Sequence, residues 1–140
     1  MAMPALKTSI VATLVKPEDR MRFLPNYFGQ KHMLAGERLV FAWMERLCSA
    51  YRGGYWDFYT LSNGGCYMAP KREGDMHIEW PDNFTDVMMS PDTAGIVATI
   101  FALGHLCEIT EQDRHAKLFN LLRDYACEHP DATKILRAID

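Results

Sequence analysis

The spacing of apolar side chains predicts one long helix in the first half of the chain. Between Leu34 and Tyr51, apolar residues recur at steps of three and four, while most charged residues fall elsewhere on the helical wheel. Gly53 and Gly54 follow directly. Because glycine adopts the left-handed conformation without a Cβ penalty, this pair predicts the end of the helix.

The segment before this helix carries two shorter patterns. The β-branched run SIVATLV, which ends at Val15, predicts an edge strand or an arm. Pro17, Glu18 and Asp19 then predict a short helical turn, since proline suits the first helical position and acids suit the first turn. Pro25 lacks a backbone N–H and is predicted to end this turn.

The pattern changes to extended segments after the glycine pair. Aromatic and β-branched residues lead into Asn63-Gly64, a strong hairpin signal, because a type I′ turn needs positive φ at both central residues. Between Met76 and Trp80, apolar residues alternate with polar ones, which is typical of a strand with one buried face. The predicted strands cover Tyr55–Ser62, Cys66–Ala69, Met76–Trp80 and, as a possible fourth, Phe84–Met89. Consecutive strands of this kind predict a meander, and hence an antiparallel sheet.

The last third of the chain predicts helices again. Ser90 and Pro91 form an N-cap followed by proline at the first helical position, and the helix that they open is apolar on nearly every side. A third helix follows Thr110 and is broken by Pro130, and a short final helix covers residues 132–139. The predicted class is α+β: a small antiparallel sheet, a meander of three to four strands, packed by three main helices plus short terminal helices. We expect residues 1–140 to form a single domain.

Composition and charge exclude several classes of protein. The chain has 140 residues, 49% of them hydrophobic and 24% charged, with a net charge of -3. This is too little positive charge for a typical nucleic-acid-binding surface and too little negative charge for a mimic of DNA. The start of the chain carries no signal-peptide pattern, and the most apolar run is about 14 residues, shorter than a membrane span. We therefore expect a cytoplasmic protein that binds neither a membrane nor a specific DNA sequence.

No motif for catalysis, metal binding or cofactor binding stands out. The five histidines form no HxxxH or HExxH pattern, and the glycine pairs do not follow the strand-to-helix order of a phosphate loop. We expect no metal and no cofactor. The four cysteines form no CxxC pair and are interpreted as reduced thiols. Cys48 with His105 is the best candidate for a nucleophilic pair, which leaves a small hydrolase or transferase as the alternative function. Both residues lie on predicted core helices, so the simpler interpretation is a buried thiol and a buried histidine.

The hairpin aromatics are the remaining candidates for a functional surface. With a period of two, Trp56 and Phe58 share one face, which is predicted to enter the core, and Tyr55, Asp57 and Tyr59 share the other. The second face is either covered by a helix or available for a partner, and tyrosine is common among interface anchors. The candidate interaction residues are Tyr55, Asp57, Tyr59, Asn63, Gly64, His77 and Glu79.

The stretch YRGGYWDFYTLSNGGCYMAP, the later SPDTAGIVATIFALGHL, the early FLPNYFG and the closing RAID resemble the ArdB/KlcA antirestriction proteins of plasmids and other mobile elements. The resemblance spans essentially the whole chain. It implies an α+β fold and protection of incoming DNA from host type I restriction–modification systems. It also implies a protein that is not an enzyme. We hypothesise that the protein interferes with the restriction complex, or with a host factor controlling it, through a protein–protein surface that includes the hairpin face. The family has no catalytic motif, so the resemblance assigns no active-site residue.

Overall fold

The computed structural model describes residues 9–140 and confirms the α+β class. Five helices and five strands make up this part of the chain, with a short 3-10 turn at Pro17–Asp19 and another at Pro81–Asn83. In chain order the elements are β1 (Ala12–Leu14), α1 (Arg20–Phe28), α2 (Met33–Leu47), β2 (Trp56–Leu61), β3 (Cys66–Pro70), β4 (Met76–Trp80), β5 (Thr85–Met89), α3 (Pro91–Thr110), α4 (Asp113–Glu128) and α5 (Ala132–Ile139).

The N-terminal region forms an edge strand and a longer helix than predicted. β1 pairs antiparallel with β2 at the edge of a sheet, which confirms the strand interpretation. The prediction that Pro25 ends the helical turn is wrong, because α1 continues to Phe28. Proline at this position removes one intrahelical hydrogen bond. Burial of the Phe28 side chain, and a 2.8 Å hydrogen bond from His115 Nε2 to the Phe28 carbonyl, stabilise the last turn beyond it.

The second helix ends earlier than the glycine pair suggested. α2 stops at Leu47, and Cys48 is buried in an extended conformation. Four residues further on, the buried Tyr51 hydroxyl accepts a 2.8 Å hydrogen bond from Trp56 Nε1. This hydrogen bond joins side chains only five residues apart, and it holds Tyr51 outside the helix that its spacing had predicted. Gly53 has a φ of 85°, but it lies in the loop before β2 and does not cap the helix.

The five strands form two sheets, not one continuous meander. β1, β2 and β3 form a three-stranded antiparallel sheet, and β4 and β5 form a separate two-stranded one. The free edge of β3 is covered by α3: Thr99 Oγ1 lies 3.2 Å from the N–H and 3.3 Å from the carbonyl oxygen of Met68. The Thr99 hydroxyl donates more closely to the Gly95 carbonyl, at 2.7 Å, and accepts from the Met68 N–H, so this N–H is not available to β4.

Close approach between α3 and β3 depends on one glycine. A Cβ atom added at Gly95 would lie 2.5 Å from the Cα of Ala69 and would also clash with the carbonyl oxygen of Met68. Only a residue without a side chain allows the helix to lie this close to the strand. The central position of α3 in the core follows from this contact.

The predicted start and burial of α3 are confirmed. The Ser90 side chain accepts a 3.1 Å hydrogen bond from the N–H of Thr93, and Pro91 occupies the first helical position. By length and composition α3 is the one helix in residues 9–140 that could span a membrane, but most of it is buried within the fold, as in a core helix. α4 ends before Pro130, and α5 covers the predicted residues.

Candidate functional site

The predicted hairpin exists, but its turn is not type I′. Among residues 9–140, Phe84 and Glu111 are the non-glycine residues with positive φ, so Asn63 does not adopt the left-handed conformation that type I′ requires. The Gly64 N–H donates to the Leu61 carbonyl and the Leu61 N–H donates to the Gly65 carbonyl, each at 2.9 Å. Gly64, with a φ of 95°, is therefore the bulge residue of a three-residue hairpin loop.

Asn63 acts through its side chain. Its Oδ1 accepts a 2.9 Å hydrogen bond from the N–H of Gly65, and its Nδ2 donates at 2.9 Å to the carbonyl of Leu121 on α4. The side chain thus closes the loop and attaches it to α4. Asn63 and Gly64, which were predicted as interaction residues, have this structural role whether or not a partner also contacts them.

The inner face of β2 is confirmed as core. Trp56 and Phe58 are buried, and the Phe58 ring stacks on Phe23 of α1 with centroids 4.4 Å apart. The Trp56 ring packs instead on Phe41 of α2, so packing of the sheet against α1 and α2 explains the aromatic residues on this face.

Tyr55 and Tyr59 have different neighbours, although the alternation placed them together. Tyr55 is 54% exposed, and the guanidinium carbon of Arg20 lies 4.4 Å from the centre of its ring. The same guanidinium lies 4.1 Å from the Phe58 ring, on the inner side of β2. Lys71 adds a second cation 5.8 Å from the Tyr55 ring. Tyr55 is thus an exposed aromatic between two cationic side chains.

Tyr59 belongs to a stack of three tyrosines from β2, β3 and α4. Its ring lies parallel to that of its cross-strand partner Tyr67, with centroids 4.7 Å apart and an interplanar angle of 9°. Tyr67 stacks in turn on Tyr125, at 5.9 Å and 20°. Tyr67 is buried, whereas the outer two rings are partly exposed. α4 therefore covers part of this face of the sheet. The tyrosine stack (Tyr59, Tyr67, Tyr125) lies at the boundary between the covered part and the exposed part.

Polar groups close one side of the tyrosine stack. The Tyr67 hydroxyl donates a 2.6 Å hydrogen bond to Oδ1 of Asp92, in the first turn of α3. Oδ2 of Asp92 lies 3.2 Å from Nε2 of His129. The N–H of Asp131 donates to Nδ1 of His129 at 2.9 Å, so the ring proton lies on Nε2 and is donated to Asp92. The carboxylate thus holds β3, α3 and the end of α4 together.

The protonation of the stack favours binding over proton transfer. Burial, and then the hydrogen bond to Asp92, raises the pKa of Tyr67 far above its usual value of 10.0. The pKa values of Tyr59 and Tyr125 are also raised, mainly by burial and then by nearby carboxylates such as Asp92. All three phenols therefore stay protonated near neutral pH and act as hydrogen-bond donors and apolar surfaces, not as bases or nucleophiles.

His77 and Glu79 lie on the other sheet, apart from the β2 residues with which they were grouped. His77 Nε2 is 2.5 Å from Oδ1 of Asp86, and its Nδ1 is 3.4 Å from Oε1 of Glu79. All three side chains are exposed. The hydrogen bond to Asp86 is the main reason that the pKa of His77 is raised. Imidazole and carboxylate are metal-ligand types, but each ring nitrogen faces a different carboxylate, which matches an imidazolium that bridges two anions.

The Cys48–His105 pair is not supported. Cys48 is buried at the end of α2, and within residues 9–140 no hydrogen bond joins it to His105. His105 instead lines a cavity of about 350 Å³ between α3 and α4, with Glu108 and Arg123, and Cys48 is not part of its lining. Another buried thiol, Cys66, has its pKa raised by burial, which disfavours the reactive thiolate.

Sequence reasoning missed four residues of the site. Tyr67 could have been found, because the hairpin register places it directly across from Tyr59. Tyr125 lies on the helix predicted after Thr110, and nothing in its local sequence places it beside Tyr67. The pairing of Asp92 with His129 has no local signal, since 37 residues separate them.

Comparisons with known proteins agree on one family. The family model described as antirestriction protein matches residues 49–140. An antirestriction protein KlcA of Escherichia coli is 50% identical over 96% of this chain and 97% of its own length. A second KlcA protein of E. coli is 47% identical, covering 94% of this chain and 95% of its own length.

A solved structure extends the likeness to the fold. It is 47% identical, has a TM-score of 0.87, and the match covers 99% of this chain and 100% of the other. That work concerns the KlcA and ArdB proteins, which show a novel fold and antirestriction activity against type I DNA restriction systems in vivo but not in vitro.

Proposed function

The chain belongs to the antirestriction protein family, and from this premise we propose that it protects incoming mobile-element DNA from the type I restriction–modification systems of its host cell. The observation that carries the proposal is the activity of the KlcA and ArdB proteins against type I systems in vivo. At 47% identity and nearly complete coverage, the residues that build the fold are shared closely enough to support the same activity here.

The partner is proposed to be a protein. Activity of the relatives in vivo but not in vitro favours a host factor that controls the restriction complex, with the complex itself as the other target. A net charge of -3 is too small to imitate DNA, and it also disfavours DNA binding. With either target, we propose that the protein acts in the cytoplasm.

The mode of action is proposed to be non-enzymatic. The tyrosine stack offers protonated hydroxyls and ring surfaces beside the Asp92 carboxylate, which suits recognition of a protein surface. Asp57 and Tyr59 are partly exposed on the same face of β2, and Tyr55, directly before β2, adds an exposed ring. A stable interface needs about 1,000 Å² or more, so His77 and Glu79 are proposed to contribute as a second contact.

Plating efficiency of unmodified phage tests the proposed function. The phage is plated on cells that carry a type I restriction system, with and without expression of this chain, and on cells that lack the system. We expect expression of this chain to raise the plating efficiency on the restricting strain and to leave it unchanged on the strain that lacks the system. Unchanged restriction, with soluble protein present, would refute the proposal.

The surface assignment has a separate test. Replacement of Tyr55, Asp57 and Tyr59 together by Ser should abolish protection. Because loss of the Tyr59 ring also disrupts the tyrosine stack, the milder Tyr59→Phe, which keeps the ring, is tested beside it. Tyr27→Phe is the matched control, since Tyr27 is another partly buried tyrosine, on α1, whose pKa is also raised mainly by burial. Full protection by the folded triple variant would remove this face from the mechanism and leave the family function intact.

A mobility-shift assay with plasmid DNA at low salt tests the DNA-binding alternative. We expect no shift. A shift that weakens steeply with added salt would show phosphate contacts and contradict a protein-only target.

A further inference from the structure

The turn between β4 and β5 holds an aromatic side chain in water. Phe84 is 85% exposed, and its backbone lies in the left-handed region with φ 59° and ψ 27°. This conformation is unfavourable for a bulky side chain, and glycine or asparagine is the usual occupant. An exposed aromatic ring adds no compensating burial within the chain, so neither local backbone energetics nor packing accounts for phenylalanine here.

The turn that carries Phe84 is firmly attached to the rest of the fold. Nδ2 of Asn83 donates to the carbonyl oxygens of Ala138 at 2.7 Å and of Arg137 at 3.3 Å, at the end of α5. Oδ1 of Asn83 accepts from both the hydroxyl of Thr85, at 2.6 Å, and its N–H, at 3.2 Å. These four contacts hold the backbone on both sides of Phe84. The ring is thus presented from a fixed position, which lowers the entropy cost of binding a partner.

The surroundings of Phe84 are acidic. Residues 76–89 contain Glu79, Asp82 and Asp86 and no lysine or arginine. All three acidic residues are exposed. The same outer face carries Met88, which is 48% exposed and lies across from His77. His77 bridges two of these carboxylates, Asp86 and Glu79, and Nζ of Lys134 on α5 donates to the Met88 carbonyl at 2.9 Å.

We propose that Phe84 is the anchor of a protein-binding surface on the β4–β5 hairpin, which fits a partner with an apolar pocket bordered by lysine or arginine side chains. The proposal rests on the proposed function, since the partner is the protein through which restriction is relieved. A central aromatic ring within a rim of charged groups is the arrangement of an interface hot spot.

Other occupants fit this surface less well. A second copy of the chain, related by two-fold symmetry, would oppose the same carboxylates to one another. The phosphates of nucleic acids, and the anionic lipids of a membrane surface, would meet the same repulsion. A basic protein surface gains from the negative charge that remains on this hairpin, where three carboxylates face the single imidazolium of His77.

Phe84→Gly separates binding from folding. Glycine adopts a positive φ freely, and the lost side chain is exposed, so the melting temperature should be unchanged or higher. Protection against the type I system should nevertheless fall at least tenfold relative to the unchanged chain. Met21→Ser is the matched control, because Met21 is 91% exposed on α1, and it should protect fully. Phe84→Trp should retain protection, since it keeps an aromatic anchor.

The charged rim has its own comparison. Asp82→Lys should reduce protection, whereas Glu45→Lys, the same reversal at an exposed position of α2, should not. Full protection by a folded Phe84→Gly variant would overturn the inference while the proposed function stands. Absence of protection by the unchanged chain would overturn the proposed function, and the inference with it. If size-exclusion chromatography showed a dimer of the unchanged chain that Phe84→Gly converts to a monomer, the surface would bind a second copy of the chain. That result would contradict a different, basic protein as the partner.

Discussion

Gly95→Ala should destabilise the protein because a single methyl group cannot fit between α3 and β3. The added Cβ would lie 2.5 Å from both Cα and Cβ of Ala69. Backbone atoms of a paired strand cannot move aside as a flexible side chain can. Overpacking of this kind costs about 1–3 kcal/mol or somewhat more, while the better helix propensity of alanine offsets about 1 kcal/mol. We expect a net loss of about 2 kcal/mol.

Gly104→Ala, in the same helix, is the matched control with the opposite expected sign. A Cβ there would lie 3.4 Å from Cε2 of Phe119, an ordinary contact. The helix-propensity term then remains, so the free energy of unfolding should rise by up to about 1 kcal/mol. The two substitutions add the same atoms to α3, and only their surroundings differ.

Thermal unfolding followed by circular dichroism measures both effects. An unfolding entropy of about 2.1 cal/mol/K per residue, for 140 residues, gives about 3–4 °C for each kcal/mol. Gly95→Ala should therefore lower the melting temperature by about 7 °C, and Gly104→Ala should raise it by up to about 3 °C. Urea unfolding followed by tryptophan fluorescence supplies an independent value. Equal stability of Gly95→Ala and the unchanged chain would refute the close contact of α3 with β3, and with it the explanation for the divided sheets.

Three further outcomes are expected. Tyr67→Phe removes a hydrogen bond to a carboxylate and should lower the melting temperature by about 5–10 °C, from about 1.5–3 kcal/mol; an unchanged value would contradict that bond. A thiol reagent near neutral pH should label the exposed Cys127 in the folded protein. It should label the buried Cys66 only after unfolding in urea. Rapid labelling of a buried thiol in the folded protein would support the enzyme alternative. An NMR titration should give His77 a pKa above 6.5, lowered by Asp86→Asn. Because the pKa of His77 is raised in the folded state, its pairing with Asp86 stabilises the fold at a pH below the unfolded-state pKa. This contribution is lost as the pH rises through the folded-state pKa. A measured pKa at or below 6.5 would exclude the pairing.

Much of the site could be predicted because its signals are local. The hairpin followed from Asn63-Gly64, and the burial of Trp56 and Phe58 followed from alternation along one strand. The companions of Tyr59 could not be found in the same way. Tyr67 needed the register of the hairpin, and Asp92 needed the packing of α3 against β3, which no nearby residue encodes.

The division of the strands shows what local pattern leaves open. Alternation identified β4 and β5, but nothing in it shows whether β3 pairs with β4. That choice depends on which element covers the edge of β3, and here Thr99 of α3 accepts the hydrogen bond from the Met68 N–H. Packing between distant segments therefore decides whether α3 or β4 contacts the edge of β3.

Local sequence patterns are enough to predict the order of the helices and strands, the α+β class, the cap of α3 at Ser90 and the family resemblance. Each depends on side-chain type and spacing within a few residues, where backbone preference is strongest. Tertiary structure decided where α2 ends, the passage of α1 through Pro25 and the exposure of Phe84. For α1, the hydrogen bond between His115 and the Phe28 carbonyl outweighs the local preference, and the contacts of Asn83 with the end of α5 hold the turn that exposes Phe84. Contacts of this kind between distant segments exist only once the chain has folded.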